Sequence, residues 1–324
     1  MLRRSSTVRA LLLIVILAAV LAPSAAADGL PVLGIDDGSS GVTVPAAQSR
    51  YVTIPATRGT LVERINRNGG QVIESSLFPG NYTIPAVAYD ATPGGLSADG
   101  HMLALIEPRT GFPRATTKLL LLATPSLRYR ATIVLRGDFS FDAISPDGAR
   151  LFLIQYTSPT DPTRYAVRSY DVRRHRLDPA RIVDPTNPRE KMRGNPLTRV
   201  VSPDGARAYT LYDGGGGTPF IHALDTANGT ARCIDLDALD LQSVWRLRLS
   251  MSQRGKTIDV VDRGKALLVV DTRSLSVSKP QSSRDWARLV SLAVAAAALV
   301  LLAAALGSAR GWIGRRAAWR SALR

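Results

Sequence analysis

One short turn recurs along the chain. It reads Ser97-Ala98-Asp99-Gly100, Ser145-Pro146-Asp147-Gly148 and Ser202-Pro203-Asp204-Gly205, with a worn copy at Ser252-Gln253-Arg254-Gly255. Each copy opens into an apolar run, at residues 101–106, 149–156, 206–212 and 256–261. Pro presets φ for the first corner of a tight turn, Asp bonds back to nearby backbone N–H groups, and Gly accepts positive φ. Asp99, Gly100, Asp147, Gly148, Asp204, Gly205 and Gly255 are therefore expected to shape turns rather than to bind ions.

A weaker marker trails each copy, where a strand ends in Asp and a turn: Tyr170-Asp171-Val172, Leu224-Asp225-Thr226 and Val270-Asp271-Thr272. The repeat containing Gly100 has Ala123-Thr124-Pro125 instead. The glycines recur about every 50 residues, the period of β-propeller blades. The expected fold is all-β, a propeller of about five four-stranded blades over residues 51–278. A two-sheet sandwich of the same strands would not explain the periodic turn. The first blade lacks the marker but alternates in polarity over 51–55 and 60–65, turns at Asn68-Gly69-Gly70 and returns over 71–77. Later blades are expected to begin near 85–89, 139–144, 198–201 and 245–249.

The S-P-D-G turn entering an apolar strand, followed by a strand ending in Asp-Thr, resembles the WD-like and YVTN-type β-propellers of bacterial exported proteins. That resemblance covers about residues 51–277. It implies a fold shared by binding scaffolds, lactonases and sensor domains, and so does not choose among them. The Trp-Asp dipeptide of eukaryotic WD repeats is missing from the blade ends, as are the Trp-bearing repeats of quinone-dependent dehydrogenases.

The two ends of the chain carry a different signal. Residues 1–27 have a basic start (Arg3, Arg4, Arg9), an apolar core and a small-residue site at Ala25-Ala26-Ala27, the three parts of a secretory signal peptide. A Gly-, Ser- and Pro-rich lead-in follows over 28–50. After the repeats, a linker over 279–288 precedes an uncharged apolar run that begins at Leu289. With residues up to 309 it is long enough for a transmembrane helix. Trp286, Trp312 and Trp319 flank it, as in an interfacial aromatic belt. The tail over 310–324 holds Arg310, Arg315, Arg316, Arg320 and Arg324 and no acidic residue, which the positive-inside rule places in the cytoplasm. The propeller is then extracytoplasmic on a single-pass membrane protein. The formal net charge is +15, but much of it sits at these ends, and the remaining basic residues are too dispersed to argue nucleic-acid binding.

No catalytic constellation is legible. His101, His175 and His222 lie in different repeats, without a second His or Cys at metal-ligand spacing. The single Cys233 suits a strand interior. Gly214 to Gly217 joins two strands and reads as a flexible loop, since a phosphate cradle needs a helix after it. No metal and no cofactor are expected. In a meander blade the marker turns share one face, and the varied loops lie on the other, where binding usually resides. Those loops carry Arg109, Arg114, Arg164, Arg189, Lys191 and Arg193 against Glu107, Asp161, Glu190 and Asp213. The basic excess suggests an anionic polymer of the envelope or an acidic protein patch. The expected function is a membrane-anchored binding or interaction scaffold at the cell envelope. The alternatives are a membrane-tethered, lactonase-like hydrolase and a structural subunit of an envelope complex.

Overall fold

The apolar runs that follow the repeated turns are strands, and each pairs with its neighbours in sequence. A computed structural model describes residues 41–43, 48–68, 70–189, 192–239, 241–280 and 294–295. The first sheet holds β1 (Ser49–Ala56), β2 (Gly59–Asn66) and β3 (Val72–Phe78). The second holds β4 (Met102–Ile106), β5 (Thr116–Ala123) and β6 (Arg128–Arg136). The third holds β7 (Phe139–Ile144), β8 (Arg150–Tyr156), β9 (Tyr165–Asp171) and β10 (Arg176–Ile182). The fourth holds β11 (Pro196–Val201), β12 (Arg207–Tyr212), β13 (Phe220–Asp225) and β14 (Thr230–Asp235). The fifth holds β15 (Arg248–Met251), β16 (Thr257–Asp262), β17 (Lys265–Asp271) and β18 (Val277–Ser278). Within each sheet the strands lie side by side in chain order and run antiparallel.

Such meanders are stable only when stacked, and the strands of the second, third and fourth sheets include runs buried on both faces. The second sheet shows how. Leu103 lies opposite Leu122 and Leu105 opposite Leu120, so these four share a face. They pack with Val62 and Phe78 of the first sheet and with Ile84. On the other face, Ala104, Ile106, Leu119 and Leu121 meet Phe141, Leu151 and Leu153 of the third sheet. Phe152 turns the opposite way, onto Ala208, Leu224 and Ala231 of the fourth. Leu211 and Ile221 in turn pack with Ile258 and Val260 of the fifth. Each buried Leu or Phe contributes about 1.5–3 kcal/mol. The core is thus a series of seams between successive sheets, which is the architecture of a β-propeller.

The repeated turns have the chemistry their residues suggest. Asp147 Oδ1 accepts from Ser145 Oγ at 2.7 Å and from Ala149 N–H at 3.0 Å, while Ser145 Oγ accepts from Arg150 N–H at 2.9 Å. Asp99 and Asp204 repeat the pattern with Ser97 and Ser202. The serine hydroxyl, then the backbone N–H, hold the carboxyls of Asp147 and Asp204 below the usual carboxylate range. Gly148 and Gly205 have φ of 69° and 68°, where a side chain is strained. They also sit against other turns: a Cβ on Gly148 would lie 2.5 Å from Met102 Cβ, and one on Gly205 would collide with Ala98 Cβ. The turns therefore pack on one another across sheets. The trailing turns after Asp171, Asp225 and Asp271 lie on the same face, since in the third, fourth and fifth sheets the marker turn joins the first strand to the second and the trailing turn joins the third to the fourth.

Two expected first strands differ. Residues 85–89 form no strand. Pro85 and Pro93 lack N–H donors, and only the isolated bridge Ala86–Pro93 forms across the loop that Ala91 closes at φ 60°. Trp245 lies in a 3-10 turn, Leu241–Arg246, and the strand starts later, at Arg248. The expected signal peptide (1–27), the transmembrane segment (289–309, apart from residues 294 and 295) and the basic tail (310–324) lie outside the described residues, with most of the lead-in (28–50) and the linker (279–288). Among the described residues, no helix is long and apolar enough to cross a membrane.

Candidate functional site: the loop face

Antiparallel order puts the loops 107–115, 157–164 and 213–219 on the face opposite the repeated turns, together with the links 137–138, 183–189, 192–195, 236–239 and 241–247. This face is held by a buried charge cluster and a run of aromatic rings.

Asp138, between β6 and β7, is the centre of the cluster. It accepts from Arg109 Nη2 at 2.6 Å and from the backbone N–H of Arg114 at 3.0 Å. Arg114 Nε lies 3.2 Å from the same carboxylate. Arg114 also donates to the carbonyls of Glu107, at 2.7 Å, and Phe139. Arg109 reaches Ser140 Oγ at 3.2 Å, and Tyr156 O–H donates to that oxygen at 3.1 Å. The Arg109 guanidinium stands over the Tyr156 ring, 4.9 Å from its centroid. Burial, then the nearby Arg109 charge, lower the pKa of Arg114. Arg109 and Arg114 are thus brought together, as partners of one buried carboxylate that staples the loop 107–115 to β7.

The rings continue the staple across three sheets. Phe112 meets Tyr156 edge-on at 5.6 Å, and Tyr156 meets Tyr165 at 6.4 Å. Tyr165 lies 6.2 Å from Tyr212, which stacks on Phe220 at 5.2 Å. Burial pushes all three tyrosines well above the ordinary phenol pKa, so they stay neutral. Tyr165 O–H donates to the Gly194 carbonyl at 3.1 Å. Asp213 then ties two loops together: it accepts from Asn195 N–H at 2.8 Å and from Gly215 N–H at 2.9 Å. The glycine run expected to be a flexible loop is instead a 3-10 turn, Gly214–Gly216, capped by Asp213. Positive φ at all three residues explains why glycines stand there.

Beneath this face lies a polar seam between the third and fourth sheets. Arg199 on β11 bonds Asp142 of β7 through the carbonyl and the carboxylate, and donates to Thr210 Oγ1 at 2.7 Å. Thr210 stands opposite His222, which is fully buried with neither ring nitrogen bonded to the protein. Loss of solvation pulls its pKa down to about 4. His101 and His175 are exposed. Among the described residues, no group of His, Cys, Asp or Glu is placed to hold a metal ion.

Of the remaining residues singled out from the sequence, Arg164, Arg189 and Arg193 are exposed on this face, and Lys191 lies outside the described residues. Sequence reasoning missed Asp138, Tyr156, Tyr165 and Tyr212. A signal existed, because Tyr156 and Tyr212 both close the second strand of their sheets.

The fold and this face define a β-propeller with one face of repeated turns and one of individually stapled loops. The chain matches no protein-family model and no curated relative. Among solved structures it is similar to the dihydro-heme d1 dehydrogenase NirN, at 14% identity and a TM-score of 0.45, over 75% of this chain and 45% of that one. It is similar to TolB from Acinetobacter baumannii at 16% identity and a TM-score of 0.40, over 72% of this chain and 53% of that one. It is also similar to the Swd1 propeller domain from Myceliophteria thermophila, at 8% identity and a TM-score of 0.44, over 77% and 73% of the two chains. The chain spans about half the length of the first two.

Proposed function

We propose that this protein is a binding scaffold of the WD-like or YVTN type, an extracytoplasmic propeller anchored by one transmembrane helix, that docks an acidic partner on its loop face. The observation that carries the reading is the division of labour among the loop arginines. Arg109 and Arg114 share the buried carboxylate of Asp138 and hold the platform rigid. Arg164, Arg189 and Arg193 are left exposed around it. Rigid loops with a basic excess at their rim bind acidic surfaces with little ordering cost. The anionic partner is an envelope polymer or an acidic protein patch.

The test is to reverse Arg164, Arg189 and Arg193 to Glu together in the tagged full-length protein and to compare its pull-down from membranes with that of the wild type. The reading expects a partner that is captured at low salt, weakened at high salt and lost in the variant. The same partners at both salt concentrations, with and without the reversal, would end it.

A further inference from the structure

The opposite face carries a second opening. A cavity of about 570 Å³ lies between the turns of the fourth and fifth sheets, within the roughly 300–1,000 Å³ of small-ligand pockets. Its charged lining comes from Asp204, Arg207, Asp225, Arg254 and Arg273. The two sets of charges are not equally available. Asp204 is engaged by Ser202 and by Ala206 N–H. Asp225 accepts from Ala227 N–H and Asn228 N–H with one oxygen and from Asn228 Nδ2 with the other. Asp225 is thus committed to its turn with both oxygens and Asp204 with one, which leaves three guanidiniums against two carboxylates already held by their turns. Arg207 spends one nitrogen on the Thr272 carbonyl, at 3.1 Å, and so fixes its guanidinium across the seam.

The repeat itself marks Arg254. It occupies the position that Asp99, Asp147 and Asp204 hold in the other turns. The worn turn keeps its shape without the carboxylate: Ser252 Oγ accepts from Thr257 N–H at 3.0 Å and Gly255 N–H donates to the Ser252 carbonyl at 2.8 Å. It forgoes the carboxylate hydrogen bonds of its siblings, and a cation lines the cavity instead. Such a break in a local rule is expected where a residue serves a ligand rather than the fold.

We propose that this groove is an oxyanion site, in which Arg207, Arg254 and Arg273 bind a soluble multivalent phosphate or carboxylate. Arginine suits such groups because its planar fork pairs two oxygens at once. The site is separate from the loop face and does not depend on what binds there.

Arg254→Asp separates binding from folding, because it restores the aspartate that the sibling turns carry at this position. The full-length protein in detergent would be titrated calorimetrically with tripolyphosphate and with citrate. Wild type should bind at least one of them, more weakly as salt is raised. R254D should lose at least tenfold in affinity while its urea midpoint stays level or rises. Arg181→Asp, the same charge change on β10 away from the groove, should keep wild-type affinity. No binding by the wild type, equal affinity in R254D, or an equal loss in R181D would overturn the proposal.

Discussion

Thr226 Oγ1 donates to the carbonyl of Gly205 at 2.8 Å, tying the trailing turn of the fourth sheet to its leading turn. Thr272 does the same for Gly255 at 2.7 Å, and Thr124 for Gly100. The second sheet, which lacks the trailing Asp, therefore keeps the threonine that matters. Val172 replaces it in the third sheet, where only the backbone bond from Val172 N–H to Ala149 O remains, at 3.0 Å. Thr226→Val should cost about 1 kcal/mol, the net value of one hydrogen bond, because its backbone bond to Ala206 survives. A urea melt of the full-length protein would read it, and a loss above that of a Leu-to-Ala core change would show that the tie does more.

Gly205→Val should cost more, about 2–4 kcal/mol, from the positive φ and the collision with Ala98 together. Gly148→Val should behave alike. Gly217→Ala is the contrast: its φ is −104°, its added Cβ would meet only the Gly214 carbonyl at 3.3 Å, and its cost should stay within about 0.5 kcal/mol. Equal effects of Gly205→Val and Gly217→Ala on the urea midpoint would show that turn-on-turn packing is not what holds this face.

Asp138→Ala leaves Arg109 and Arg114 buried without their carboxylate, and breaking such a pair costs about 3–5 kcal/mol. The damage should be local first. Limited proteolysis should cut the variant within residues 107–115 while the turns of the fourth sheet stay protected. Uniform cleavage along the chain would mean the cluster supports the whole fold, and unchanged cleavage would mean it staples nothing.

These contrasts show which parts of the molecule the sequence made legible. The turn residues were readable because their interactions are local: Ser145, Asp147 and Arg150 bond within six residues of chain. The Leu119 to Leu122 run likewise announces a strand buried on both faces. The loop face was read as loops with spare charge, and there the reading ran short. Arg109 meets Asp138 across 29 residues and Arg199 meets Asp142 across 57, and no period or motif encodes either pairing. The same holds for Tyr165 and Tyr212, whose contact exists only once the third and fourth sheets are stacked. A count of loop arginines could not tell a buried staple from an exposed rim.

The proposed topology has its own test. A protease added to cells with a permeable outer envelope should remove the propeller and spare a tag placed after Arg324. Protection of the propeller with loss of the tag would reverse the orientation. Protection of both would remove the extracytoplasmic reading altogether.

His222 sets an expected pH dependence. Its pKa is about 4 in the folded protein, where burial disfavours the charged ring, against an ordinary value of 6.5. Between these values the unfolded chain binds a proton that the folded chain does not, so stability is full above pH 6.5 and falls as pH drops towards 4. The difference corresponds to about 3 kcal/mol. Below pH 4 the histidine adds no further slope. Asp147 and Asp204, whose carboxyls are held below the usual range, are lost only at still lower pH, so the two effects separate. His222→Phe removes the titrating ring and leaves no ring nitrogen to satisfy. The measurement is the urea midpoint at steps from pH 7.5 to 4 for the wild type and the variant. The wild type should hold its stability down to about pH 6.5 and lose it progressively from there to pH 4, and the variant should stay nearly flat. Parallel curves would show that His222 is not the group that makes this fold acid-sensitive.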